Sequence, residues 1–175
     1  RLSDRANLSR PRGRPKEIDM TDTAADRELV LTRIVDVPAD KLYRGWTEPE
    51  LMKQWFAPKP FTVPVAETDV RPGGTSFVVM KDPDGAEYPN RGVYLEVDPG
   101  RKIVFTDAFT EAWTPSDKPF FVGTISFEDL GGGQTRHTAT ARHWSVEDKQ
   151  AHEQMGFHEG WGICLDQLVE VARAL

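Results

Sequence analysis

Cysteine is almost absent: the 175 residues contain one, Cys164. A single thiol excludes an intramolecular disulfide framework and any zinc site built on several cysteines. It also makes a reducing cytoplasm the simplest compartment. Long apolar runs are missing as well. No stretch approaches the roughly 18 uninterrupted apolar residues of a transmembrane helix, so no membrane insertion is expected. Histidine is sparse, with four in the chain, and no H-E-x-x-H, G-x-S-x-G, G-x-x-x-x-G-K-[ST] or G-x-G-x-x-G occurs. Those gaps remove the usual signatures of zinc hydrolases, serine nucleophiles and nucleotide cradles. The sequence assigns no catalytic residue, no metal and no cofactor.

What is present has the make-up of a folded domain: 38% hydrophobic, 10% aromatic and 29% charged, neither disordered nor membrane-spanning. The net charge of −6 is unevenly spread. Residues 1–19 hold six of the 22 basic and three of the 28 acidic residues, a local +3 that leaves −9 on the rest. An acidic body repels phosphate backbones, so no nucleic-acid partner is expected for the folded part. Residues 1–27, with Pro11, Gly13 and Pro15 among arginines and serines, show no periodicity and too little apolar surface to offset the entropy of ordering. They also lack the apolar core of a secretory signal. Met20 precedes a plausible start, so residues 1–19 are read as an upstream leader, and residues 28–175 as one domain.

Glu28–Asp36 is rich in Leu, Val, Ile and Thr and reads as a strand. Pro38 suits the first turn of a short helix with Leu42 and Trp46 on one stripe. Thr47 and Glu50 carry the spacing of a capping box for a second short helix that turns Leu51, Met52 and Trp55 inward, and Pro58 and Pro60 end it. From residue 61 to 144, turn sequences (Arg71-Pro72-Gly73-Gly74, Asp82-Pro83-Asp84-Gly85, Asp98-Pro99-Gly100, Gly131-Gly132-Gly133) separate six strand-like runs. Tight turns between successive strands predict an antiparallel meander. The one long connection is Thr110–Pro119. Ser145 caps a final helix expected to run to the end of the chain, with Phe157, Trp161, Leu165, Leu168, Ala172 and Leu175 on one face. The prediction is an α+β fold: a seven-stranded curved antiparallel sheet around a long C-terminal helix, with two short helices after the first strand.

The segment V-D-V-P-A-D-K-L-Y-R-G-W-T-E-P-E-L-M-K-Q-W-F-A-P (Val35–Pro58) closely resembles the opening of the activator-of-Hsp-90-ATPase-homologue-like family. That family belongs to the START/SRPBCC helix-grip superfamily, which includes the birch-pollen allergen fold. The motifs R-P-G-G, D-P-D-G, G-V-Y-L-E-V-D-P-G-R-K-I-V-F-T (Gly92–Thr106) and G-F-H-E-G-W-G-x-x-L-D-Q-L (Gly156–Leu168) follow in the same order. The resemblance covers residues 28–175 and implies a sheet gripping the C-terminal helix around an internal apolar cavity. It also implies three readings: binding of a small apolar or amphipathic molecule, a cyclase- or dehydratase-like enzyme, or a chaperone-interaction module. Residues 28–175 are expected to make one such unit, without the second, chaperone-binding domain that accompanies it in the eukaryotic co-chaperones.

Candidate cavity residues follow from spacing. Gly156, Gly160 and Gly162 interrupt the last helix, each at a cost of about 0.5–1 kcal/mol relative to Ala. Either the helix backbone packs closely there or the missing side chains leave room for a ligand beside Trp161. On a continuous helix His152 points opposite Trp161, into solvent, while His158 lies about 60° from it and faces inward. In the last strand Arg136, Thr138, Thr140 and Arg142 share one face, leaving His137, Ala139, Ala141 and His143 for the other. Aromatic candidates are Trp55, Phe77, Tyr94, Phe105, Trp113, Phe157 and Trp161, each either plain core or ligand shelf. Trp113, in the long loop, is a candidate for the cavity mouth. Cys164 is expected buried and inert. An enzyme would need His158, with Tyr94 or Glu159, pointing into one cavity.

Overall fold

A computed structural model describes residues 23–175. The expectation for the leader lies outside the described residues over 1–22. Within its last residues, Ala24–Arg27 form a 3-10 turn capped reciprocally by Thr23 and Asp26. The Arg27 side chain donates to the Trp144 carbonyl, 3.2 Å away.

The strands are β1 (Glu28–Val35), β2 (Thr62–Thr68), β3 (Thr75–Lys81), β4 (Glu87–Asp98), β5 (Lys102–Thr106), β6 (Phe109–Thr110), β7 (Thr114–Pro115), β8 (Val122–Gly131) and β9 (Gln134–Arg142). Seven of them form one antiparallel sheet in the order β1-β9-β8-β5-β4-β3-β2, and β6 with β7 makes a small hairpin on the long connection. Chain neighbours pair as the turn sequences predict, except that β1 closes the sheet against β9, with Glu28 opposite Arg142. Alternation in β9 is strict. Thr135, His137, Ala139 and Ala141 are buried, while Arg136 and Arg142 reach out to Glu128 and Glu28.

The short helices α1 (Ala39–Thr47) and α2 (Pro49–Met52) follow β1. Leu42 and Trp46 are buried as their spacing requires. The predicted capping box does not form. The Thr47 hydroxyl donates to the Tyr43 carbonyl one turn back, 2.8 Å away, so Thr47 ends α1, and Glu48 precedes α2 with Pro49 in its first turn.

The last helix is two helices, which corrects the prediction of one. Ser145 caps α3 (Val146–Gln154) as expected, accepting from the Asp148 amide at 3.1 Å. Gly156 then takes a left-handed conformation, φ 91°, and α4 (Phe157–Arg173) starts on a new axis. A residue with a Cβ is strained at that φ, and glycine is not. The core joins α1 and α4 to β5, β8 and β9 through Leu42, Trp46, Ile103, Ile125, Ala139 and Leu168.

Gln167 fastens α4 to the segment after α2. Its amide nitrogen donates to the Trp55 and Ala57 carbonyls at 3.0 and 2.8 Å, and its oxygen accepts from the Lys59 amide at 3.0 Å. Gln167→Leu removes all three bonds and leaves backbone groups unpaired near the core. Each such group costs about 1–3 kcal/mol, so a loss of at least about 3 kcal/mol is expected in urea unfolding. A loss below 1 kcal/mol would show that water replaces the side chain freely.

Candidate functional site

Between the concave face of the sheet and α4 lies a cavity of about 410 Å³. This is within the roughly 300–1,000 Å³ of small-molecule sites. The α4 side of it is one stripe, Phe157, Gly160, Trp161, Cys164, Leu165 and Leu168, at steps of three, one, three, one and three residues, as a helix face requires. The sheet contributes Leu31, Ser76, Val78, Phe105, His137 and Ala139. Trp46, Trp55 and Phe56 close the end near α1 and α2. At the other end stand Phe120, Phe121 and His152. Exposed lining residues Asn90, Arg91 and Met155 mark the mouth.

The three helix glycines have three different roles. Gly156 makes the break. A Cβ on Gly162 would stand 2.8 Å from the Arg33 guanidinium, so close packing explains that position. A Cβ on Gly160 would meet nothing within 4 Å, and the space beside it is the cavity. Close packing thus accounts for Gly162 and open space for Gly160.

Five of the predicted residues line the cavity: Trp55, Phe105, His137, Phe157 and Trp161. Four do not. Phe77 alternates onto the face of β3 opposite Ser76 and Val78, where the Arg91 guanidinium lies 4.0 Å from its ring centre. Tyr94 is opposite Phe105 in register but is packed into the core, where burial pushes its hydroxyl up to about 12. Trp113 is 51% exposed. It lies over Gly73 and edge-on to Phe109, pinning the long loop to the β2–β3 turn rather than guarding the mouth. Its own φ and that of Ala112 are left-handed, 57° and 56°. His158 and Glu159 are exposed, because the cavity stripe passes through Phe157 and Gly160 and misses both. The acid–base set of His158 with Tyr94 or Glu159 is thus not assembled.

His152 reverses its expectation: it is buried and lines the cavity. The prediction carried helical phase across residue 156, and the break at Gly156 resets it. His152 Nδ1 lies 2.8 Å from His143 Nε2, and His143 Nδ1 donates to the Arg27 carbonyl at 2.9 Å. Burial and then the neighbouring His143 push the His152 imidazole down to about 4. Phe120 and Phe121 beside it are held by Asp107, whose carboxylate accepts from both their amides. At the opposite end His137 Nε2 accepts from Trp46 Nε1 at 3.0 Å. Burial lowers His137 also to about 4. Cys164 is half-buried on the cavity stripe, and burial raises its thiol to about 11, so it stays protonated and unreactive. Among the described residues no cluster of three His, Cys, Asp or Glu is arranged to hold a metal, and no helix is long and apolar enough to cross a membrane.

A sheet wrapped around α4 with a cavity between them is the helix-grip arrangement, and a family model described as activator of Hsp90 ATPase homolog 1-like protein matches residues 36–173. The chain belongs to this family. A crystal structure of a protein from Nitrosomonas europaea is similar at 39% identity and a TM-score of 0.82, covering 86% of this chain and 96% of that one. A protein from Mycobacterium smegmatis shares the fold at 24% identity and a TM-score of 0.71, with 85% and 92% covered. One from Rhodobacter sphaeroides does so at 16% and 0.75, with 88% and 97% covered. No curated protein is significantly similar to the chain. As a member of the family, the chain has a fold of the ligand-binding kind, and sequence reasoning missed Phe120, Phe121 and His152 as parts of its cavity.

Proposed function

We propose that this protein binds one small apolar or amphipathic molecule in the cavity between α4 and the sheet. The observation that carries the reading is the open volume beside Gly160, in a stripe otherwise made of large apolar side chains. Natural cores fill such space, since an unfilled void costs about 20 cal/mol per Å² of its surface. A fold that keeps a wide, apolar, mouth-connected volume is built to have it occupied. The single free thiol favours a reducing, cytoplasmic setting. The cavity, lying inside the fold, favours a small molecule over a chaperone surface as partner.

The test is titration of the purified protein with the neutral fluorophore N-phenyl-1-naphthylamine. Saturable enhancement at one site per chain is expected, with apolar competitors displacing the dye. Enhancement that grows linearly without saturating, or that competitors leave unchanged, would overturn the reading.

A further inference from the structure

The cavity is apolar apart from a few groups, and at the end beside Phe120 one of them is unpaired. The Arg27 carbonyl can only accept, so His143 Nδ1, 2.9 Å from it, carries its proton. In the uncharged pair His143 Nε2 is then a lone pair, and His152 Nδ1, 2.8 Å away, donates to it. That assigns the second nitrogen of His152, Nε2, as an unprotonated acceptor. It has no hydrogen-bond partner among the described residues. Nor is it sealed off, unlike His137 Nδ1, which is buried with no partner. His152 lines the cavity and His143 does not. With Nδ1 turned to His143, Nε2 is the ring nitrogen left free on this cavity-lining residue. Four aromatic rings surround it: Phe120 at 4.7 Å, Phe157 at 5.1 Å, Phe121 at 5.3 Å and Trp161 at 6.2 Å between centres.

We infer that the molecule bound here carries a neutral O–H or N–H group that donates to His152 Nε2, with its adjoining apolar body against Phe120, Phe121, Phe157 and Trp161. The inference rests on the cavity-binding reading and adds the chemistry of one end of the ligand. A carboxylate is excluded from this end, because it would face a lone pair, and the acidic residue Asp107 is also among the lining residues. Arg91 at the mouth is already paired with Glu111. The depressed basicity of His152 fits, since at neutral pH the ring is uncharged and has its acceptor free. An orphan acceptor in an apolar surround is satisfied by one donor, which favours that donor by about tenfold over a partner lacking it.

Three probes of nearly one shape separate the possibilities: 2-naphthol, 2-methoxynaphthalene and 2-naphthoate, measured by displacement of N-phenyl-1-naphthylamine. The native protein is expected to bind the naphthol about tenfold more tightly than the ether, and the naphthoate most weakly. His152→Phe should erase the naphthol–ether difference. Because that variant removes a buried hydrogen bond, a second readout uses the native protein. In ¹⁵N-labelled protein the His152 Nε2 resonance should be that of an unprotonated nitrogen, and it should shift with 2-naphthol but not with the ether. Equal affinities for naphthol and ether, or an Nε2 that is protonated in the free protein, would overturn the donor assignment and leave the cavity reading standing. If the dye and all three naphthalenes fail to bind, the cavity reading falls and the donor assignment falls with it.

Discussion

Gly160→Leu is expected to weaken binding of N-phenyl-1-naphthylamine by well over tenfold while leaving the protein as stable as before or more so. Substitutions that occlude a cavity ordinarily risk the fold, because added carbons collide with packed neighbours. Here the collision is absent. A Cβ at residue 160 has no atom within 4 Å, and the position is helical, so leucine removes a glycine penalty of about 0.5–1 kcal/mol. The four added carbons enter the space a ligand would occupy. Paired measurements decide it: the titration should lose its saturable phase, and the melting temperature should stay level or rise by a few degrees. Gly160→Ala is the control, gaining stability with binding retained. Unchanged affinity in the leucine variant would mean that ligands do not use the space beside α4.

The second large effect is acid lability confined to a narrow window. His137 and His152 are both held near 4 in the folded protein, against an ordinary 6.5. The unfolded chain therefore takes up protons at these two rings as the pH drops below about 6.5, while the folded chain does not until about 4. Stability is intact above 6.5 and is lost as the pH falls through that interval. For His137 alone the difference amounts to about 3 kcal/mol, with His152 adding in the same direction, a large share of a typical 5–15 kcal/mol. No carboxylate compensates. The charged side chain opposite His137 in register is Arg33, and His152 faces His143. Urea unfolding at half-unit steps from pH 7 to 4 should show a steep decline. His137→Phe, though weaker at neutral pH for want of an acceptor for Trp46 Nε1, should flatten it. A native curve as flat as the variant's would refute the account.

The architecture was legible because its signals are local and redundant. Four turn sequences space the strands, and period-two burial in β9 follows from four residues that prefer water alternating with His and Ala. The cavity was legible only where residue type and phase agreed, as for Phe157, Trp161 and His137. Phase failed at His158, which shares α4 with Trp161, because the cavity stripe passes through Phe157 and Gly160, and at His152 because three glycines in one helical pattern look alike in sequence. Only the backbone shows that Gly156 breaks the helix, Gly160 leaves space and Gly162 admits Arg33. Phe120 and Phe121 were hidden differently. Their inward position depends on Asp107 gripping their amides across the long loop, a contact between residues 13 and 14 positions apart that no periodicity encodes. Trp113 misled because an aromatic in a loop marks a mouth or a clasp equally well.

The pairing of β1 with β9 has a consequence for how the protein is made. Arg142 and Glu28 meet across 114 positions of chain, and α4, the inner wall of the cavity, is later still. At the 5–20 residues per second of ribosomal synthesis, β1 waits about 6–23 s for its neighbour in the sheet. During that interval the first strand and the curved meander present unpaired edges and an uncovered concave face. The cavity does not exist until α4 is in place, and the closing step joins the most distant parts of the sequence, a topology associated with slow folding.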